Sequence, residues 1–278
     1  MIRDLGLTNY DYYSSRRDME IVSQIVEALN KILEEDKKAQ QPLFLKISDT
    51  LIMDIARKVV QEKKKNFLIG ITGESASGKT VFVDNTIKAC VKDKTEGIYT
   101  VIRCDDYYKD TSKELQEAGS YEALFKTGFS FDTPDVINLD LMREHLVALK
   151  QGKTIKSPSY NFVTCESNLD GEEKKPAKVI LTEGLYVLNE EVRDIIDVKV
   201  YVFTPLEVIK ERWYKRAKER GKEGAAADLQ FADVNKTAQK YIRPTYQISD
   251  AIINGLVSQE YIQEITDKIF KALKNIEY

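Results

Sequence analysis

The stretch NFLIGITGESASGKT (residues 66–80) decides the fold. Its first part, NFLIGIT (66–72), is short, apolar and partly β-branched, as a strand buried on both faces must be. The next eight residues, GESASGKT (73–80), fit G-x-x-x-x-G-K-[ST]. Gly73 and Gly78 permit backbone torsions and a close approach that a Cβ would block. The turn between them aims successive backbone N–H groups inward, and the helical pattern VFVDNTIKAC (81–90) adds its positive N-terminal end. Such a cradle suits the phosphates of a nucleoside triphosphate. Gly73, Glu74, Ser75, Ala76, Ser77, Gly78, Lys79 and Thr80 are therefore the expected nucleotide-binding residues, with Lys79 on the β/γ-phosphates and Thr80 on Mg²⁺.

Working outward, IYTVIRC (98–104), KVILTE (178–183), VKVYVFT (198–204) and AIIN (251–254) read as further buried strands. Helical periods lie between them in INLDLMREHLVALKQ (137–151), PLEVIKERWYKRAKER (205–220) and SQEYIQEITDKIFKALKN (258–275). Alternating strands and helices predict a three-layer α/β domain with a mostly parallel sheet over residues 66–278. Residues 153–177, with KTIKSPSY and GEEKK, stand outside the alternation and predict a hairpin or flap. Residues 1–65 form a helical N-terminal extension. One amphipathic helix carries Ile21, Val22, Ile25, Val26, Leu29, Ile32 and Leu33; a second follows Ser48 or Asp49, and LFLKIS between them has strand character.

Composition removes several function classes. The 278 residues hold 42 Lys+Arg against 45 Asp+Glu, so no net basic field favours nucleic acid. No apolar run approaches the ~20 residues needed to span a bilayer, and the start lacks a signal-peptide core. Three separated cysteines, Cys90, Cys104 and Cys165, make no disulfide framework, which fits a reduced cytoplasmic setting. A single histidine nearly excludes catalytic triads and multi-His zinc sites. His145 itself sits beside an apolar helix stripe and reads as packing.

Chemistry must therefore rest on carboxylates, cations, hydroxyls or backbone amides. In a parallel sheet the ligand sits at the carboxyl edge. Asp105 and Asp106 directly follow one strand there, and Glu183 ends another. An acid so placed is suited to hold Mg²⁺ or to accept the proton of an attacking hydroxyl. Further along, Arg212, Lys215, Arg216, Lys218, Arg220 and Lys222 crowd one helix, followed by Gly221, Gly224 and another helical stretch. Helix, glycine hinge and helix (about 212–230) predict a lid that brings cations onto a transferring phosphoryl group. Trp213 reads as packing within that lid.

The ordered motifs CDDYY (104–108), SFDTPD (130–135), PSYNF (158–162), LTEGLYVL (181–188), KERGK (218–222) and RPTYQISDAII (243–253) resemble the uridine kinase/phosphoribulokinase family of P-loop kinases. The resemblance spans roughly residues 66–255 and leaves the extension uncovered. It implies ATP- and Mg²⁺-dependent phosphorylation of a small acceptor, foremost the 5′-hydroxyl of uridine or cytidine. Asp105 falls on the catalytic base, Tyr108 on a substrate-pocket tyrosine, and Asp132 on the ribose-gripping acid. Tyr160 and Phe162 fall on base contacts, Glu183 on a residue near Mg²⁺, Arg212 and Arg220 on lid arginines, and Gln230 on a substrate contact. Thr80, Asp105 and Glu183 are thus the implied metal set, and Lys79 with the lid arginines completes the catalytic one. Dimers and tetramers occur among relatives, so a homo-oligomer is compatible with the resemblance.

Four positions depart from the family pattern. Cys165 and Ser167 stand where a base-contacting His and an Arg are usual, and a thiol is a poor substitute for imidazole. Lys215 and Lys222 replace arginines, keeping charge but losing bidentate geometry. The changes at Cys165 and Ser167 keep open a kinase for another sugar or sugar phosphate, with Lys153 and Lys156 able to supply an extra anion site. A reading from another class is a nucleotide-dependent regulatory protein whose phosphate loop drives a switch and whose N-terminal helices bind a partner.

Overall fold

The computed structural model describes residues 16–61, 66–92, 98–219 and 223–274. A six-stranded sheet forms the centre, in the order β1-β10-β9-β2-β8-β3. Its strands are β1 (Phe44–Ile47), β2 (Phe67–Gly73), β3 (Tyr99–Arg103), β8 (Val179–Glu183), β9 (Val198–Phe203) and β10 (Ala251–Asn254). All pair in parallel except β1, which joins β10 antiparallel.

The apolar runs predicted as strands alternate their side chains between two cores. Ile180 and Tyr201 enter one, with Leu68, Ile102 and the helix α6 (Leu139–Lys150). Leu181, Val200 and Val202 enter the other with Ile71 of β2, against Val83, Ile262 and Ile265 from the helices α3 (Lys79–Lys92) and α9 (Gln259–Lys274). A sheet covered on both faces requires this near-continuous hydrophobicity. Each fully buried Leu or Ile contributes about 1.5–3 kcal/mol relative to exposure.

The extension contributes more than helices. The helices α1 (Arg16–Asp36) and α2 (Leu51–Gln61) close a cluster of Ile21, Val22, Ile25, Leu29, Ala56 and Val60. Between them β1 becomes the edge strand of the central sheet. Asp197, which precedes β9, accepts Lys58 Nζ of α2 at 2.6 Å and Lys150 Nζ at 2.9 Å.

Two short helices outside the predicted pattern, α4 (Ser112–Ala118) and α5 (Tyr121–Lys126), follow β3. The flap holds two small antiparallel ladders, β4 (Ile155–Lys156) with β7 (Glu173–Lys174) and β5 (Ser159–Asn161) with β6 (Glu166–Asn168). The predicted lid comprises α7 (Leu206–Glu219) and α8 (Gly224–Thr237) around a cluster of Trp213, Ala217, Ala227 and Val234. Among the described residues no helix is long and apolar enough to cross a membrane.

Candidate functional site

Three neighbouring strands deliver their C-terminal ends to one edge. Arg103 at the end of β3 lies in register with Glu183 of β8, and Ile71 of β2 faces Glu183 from the other side. The phosphate loop leaves β2 there, and Asp105 follows β3 in a single 3₁₀ turn, Cys104–Tyr107. These ends open into a cavity of about 540 Å³.

The loop is built from glycine outward. Gly73 has φ +152°, and a Cβ on it would lie 2.6 Å from the Val202 carbonyl and 2.8 Å from Ser77 Oγ. Ser77 N donates to the Glu74 carbonyl at 3.0 Å, closing the turn. Ser75, Ala76, Gly78, Lys79 and Thr80 line the cavity, whereas Gly73, Glu74 and Ser77 form the frame behind it. Glu74 turns away to a bidentate pair with Arg243, at 3.0 Å to Nε and 2.9 Å to Nη2.

The donor set fits a polyphosphate. Lys79 is buried, with Nζ donating to the carbonyls of Gly73 and Glu74, each at 2.9 Å. Burial pulls its ammonium below the usual lysine range, against the pull of Glu183 and Asp105. An anion in the cradle would relieve that cost. Ser77 Oγ is buried without a hydrogen-bond partner among the described residues.

The metal question turns on the same edge. Among the described residues no three His, Cys, Asp or Glu gather into a metal cluster. What the edge offers is the Thr80 hydroxyl, 3.1 Å from Glu183 Oε1, with Asp105 nearby on the cavity wall. A hydroxyl and one or two carboxylates, completed by phosphate oxygens and water, suit a hard divalent cation such as Mg²⁺. Arg103, which sequence reasoning did not single out, donates to Glu183 Oε1 at 2.7 Å and to Asp84 at 2.9 Å.

Asp105 and Asp106 part company. Asp105 is exposed and lines the cavity, whereas Asp106 is half-buried and lines none of it. Burial, with Asp105 adding to it, pushes the Asp106 carboxyl up to about 6.

The cavity's other end is aromatic. Tyr108 and Tyr160 stack at 5.0 Å, and Phe162 meets Tyr160 edge-on at 5.0 Å. Asp132 lies close by, its backbone carbonyl accepting the Tyr186 hydroxyl and its amide donating to Ser130 Oγ at 3.1 Å. Gln230 of α8 reaches the wall, with Oε1 buried and without a hydrogen-bond partner among the described residues. Tyr121, absent from the expected set, lines this end and ties α5 to the flap by donating to the Phe162 carbonyl at 2.8 Å. Its hydroxyl also lies 3.3 Å from Cys165 Sγ. Cys165 is buried in the wall with φ +59°, whereas Ser167 sits outside it, its amide on Asp110.

Of the lid cations, Arg212 and Arg216 line the cavity. Arg212 Nη1 donates to the Gly255 carbonyl at 3.0 Å, and Arg216 Nη2 to Ser75 Oγ at 2.5 Å. The charge-dense helix signalled Arg216, yet nothing local distinguished it from its neighbours. Arg220 and Lys222 lie outside the described residues. His145 packs against Tyr107, its Nδ1 2.9 Å from the hydroxyl, and lines none of the cavity.

A model of the phosphoribulokinase/uridine kinase family matches residues 68–261. A uridine kinase of Clostridium novyi is 34% identical over 189 residues, covering 67% of this chain and 86% of that enzyme. A uridine kinase of Staphylococcus aureus is 32% identical over 210 residues, covering 74% of this chain and 96% of the other. The solved structure of the YGR205w protein superposes with a TM-score of 0.50 at 14% identity, over 82% of this chain and 95% of that one, a likeness of fold. The chain thus belongs to the phosphoribulokinase/uridine kinase family of P-loop kinases, phosphotransferases with a hydroxyl group as acceptor.

Proposed function

We propose that the protein transfers the γ-phosphoryl group of ATP to the 5′-hydroxyl of a pyrimidine nucleoside, uridine or cytidine. The observation that carries this reading is the division of one cavity into two ends. A cationic phosphate cradle occupies one, and an aromatic wall with Asp132 and Gln230 the other, while Asp105 stands on the wall they share. Among the described lining residues, Lys79, Arg212 and Arg216 supply all the Lys and Arg charge, and each sits on the loop or lid side. A phosphorylated acceptor needs an anion site of its own. Lys156, one cation available for that role, is exposed and paired with Asp170. An aromatic end that carries Asp132 and no lining Lys or Arg therefore favours a nucleoside over a sugar phosphate.

The residues divide the work as follows. Tyr160 and Phe162 flank a planar base. Asp132 accepts hydrogen bonds from a ribose diol, and Gln230 Oε1 takes a donor from the acceptor. Asp105 accepts the proton as the 5′-oxygen attacks in line. Lys79, Arg212 and Arg216 meet the charge that spreads over the phosphoryl oxygens, at no reorganisation cost because the fold already holds them. Thr80, Glu183 and Asp105 would hold Mg²⁺, which when bound supplies further positive charge to those oxygens.

The test is a panel of Mg-ATP with nucleosides, sugars and sugar phosphates, scored by ADP release. Uridine or cytidine should give the highest kcat/KM. Preference for a sugar phosphate would overturn the nucleoside assignment, and ATP hydrolysis that no acceptor accelerates would overturn the kinase mechanism.

A further inference from the structure

The cavity is lined beside the phosphate loop by Val81 and Phe82 of α3 and by Asn254, Gly255 and Val257 of the turn between β10 and α9. That turn is held from outside the residues matched by the family model, which begin at 68. Asn254 N donates to the Leu43 carbonyl at 2.8 Å, and Asn254 Nδ2 to the Pro42 carbonyl at 3.2 Å. Pro42 and Leu43 are in turn fixed by Asp36 at the end of α1. This fully buried carboxylate accepts Leu43 N at 2.8 Å, Phe44 N at 2.9 Å and the Tyr261 hydroxyl at 2.9 Å. An ionised carboxylate with three donors is a strong, directional clamp.

The wall then connects inward. Gly255 N donates to the Phe203 carbonyl at 2.8 Å, and the Gly255 carbonyl accepts Arg212. A Cβ on Gly255 would collide with Thr204 Oγ1 and the Ser77 carbonyl, two atoms themselves joined at 2.8 Å. Asp36, the 42–43 turn, the Asn254–Gly255 wall, Arg212 and the phosphate loop form one contiguous set of contacts.

We propose that the N-terminal extension is a working part of the phosphoryl-donor subsite, with Asp36 the positioning residue that sets the Asn254–Gly255 wall. This rests on the reading of the phosphate-loop end as an ATP site. Asp36 touches no ligand and acts through Leu43 and Asn254. The extension thereby governs nucleotide affinity, and the acceptor end, remote from this wall, is independent of it.

Calorimetric titration with ATP alone, acceptor KM and melting temperature should be measured for the wild type, Asp36→Asn, Tyr261→Phe and Ile25→Ala. The last removes core volume between α1 and α2 without touching the clamp. Asp36→Asn and Tyr261→Phe should weaken ATP binding by roughly three- to tenfold with acceptor KM unchanged. Ile25→Ala should lower the melting temperature with ATP affinity intact. Tyr261→Phe, which deletes one hydroxyl, serves if Asp36→Asn fails to fold. ATP affinity within twofold of wild type in the clamp variants, or an equal loss in Ile25→Ala, would overturn the proposal. A wild type that binds no ATP would instead overturn the donor-site reading.

Discussion

The Thr80 hydroxyl donates to Glu183 Oε1 at 3.1 Å, joining the first turn of α3 to the end of β8. The same oxygen accepts Arg103 at 2.7 Å, so a nearly buried carboxylate is aimed at the phosphate loop from two sides. Glu183→Gln keeps the shape and removes the charge. It should lower kcat by roughly 10²-fold and raise the Mg²⁺ concentration needed for half-maximal rate. Initial rates across a Mg²⁺ titration check this; an unchanged Mg²⁺ dependence would remove Glu183 from the metal site.

The ring stack predicts a split between the two substrates. Tyr160 lies 5.0 Å from both Tyr108 and Phe162. Stacking a base on an aromatic ring is worth about 1–3 kcal/mol. Tyr160→Ala should therefore raise the acceptor KM by about 5–150-fold with the ATP KM near wild type. Equal changes in both constants would mean that the ring supports the fold rather than a base.

Glu74 and Arg243 form a bidentate pair whose side chains are 12% and 30% exposed, and Arg243 also reaches Asn235 of α8 at 2.5 Å. Removing the charge at Glu74 leaves the guanidinium only partly satisfied. Glu74→Gln should cost about 1–3 kcal/mol, or roughly 2–4 °C per kcal/mol for a chain of this size. Thermal melts of Glu74→Gln, Arg243→Gln and the double variant should give a non-additive total. Additive losses would show that the pair is uncoupled.

Asp197 predicts a pH signature. Burial, the largest single influence on its carboxyl, pushes upward, but Lys58, the Leu68 amide and Lys150 together outweigh it and hold the group below the usual aspartate range. A lowered folded value means stability that is present above the unfolded value of about 3.9 and lost as pH falls through the folded one. Asp197→Asn should thus melt lower than wild type at pH 7, and the two should begin to converge only as pH falls below about 3.9, meeting once it has passed the lower folded value. Parallel curves down to acid pH would contradict the ion-pair account.

The phosphate loop, the buried strands and the strand-end acids were legible because their signals are local: spacing, β-branched runs and a residue directly after a strand. The antiparallel seating of β1 on β10 was not, since Phe44 pairs with Ile253 from the far side of the intervening domain and four residues leave no period to read. The helices α4 and α5, of 7 and 6 residues, are too short to show an amphipathic repeat. Arg103, Arg243 and Asp36 escaped notice for another reason. A cation or acid declares its role by its partner, and these partners lie 80, 169 and 225 positions away, in Glu183, Glu74 and Tyr261. Tyr121 is similar, since its place in the wall follows from the flap folding back over α5.

Asp105 is the proposed acceptor of the hydroxyl proton, and a single substitution isolates that role. Asp105 is exposed on the cavity wall, so Asp105→Asn should fold as wild type does. Its kcat should fall by about 10²–10⁴-fold, with ATP affinity near normal. Turnover of uridine or cytidine at the wild-type rate in Asp105→Asn would contradict that role.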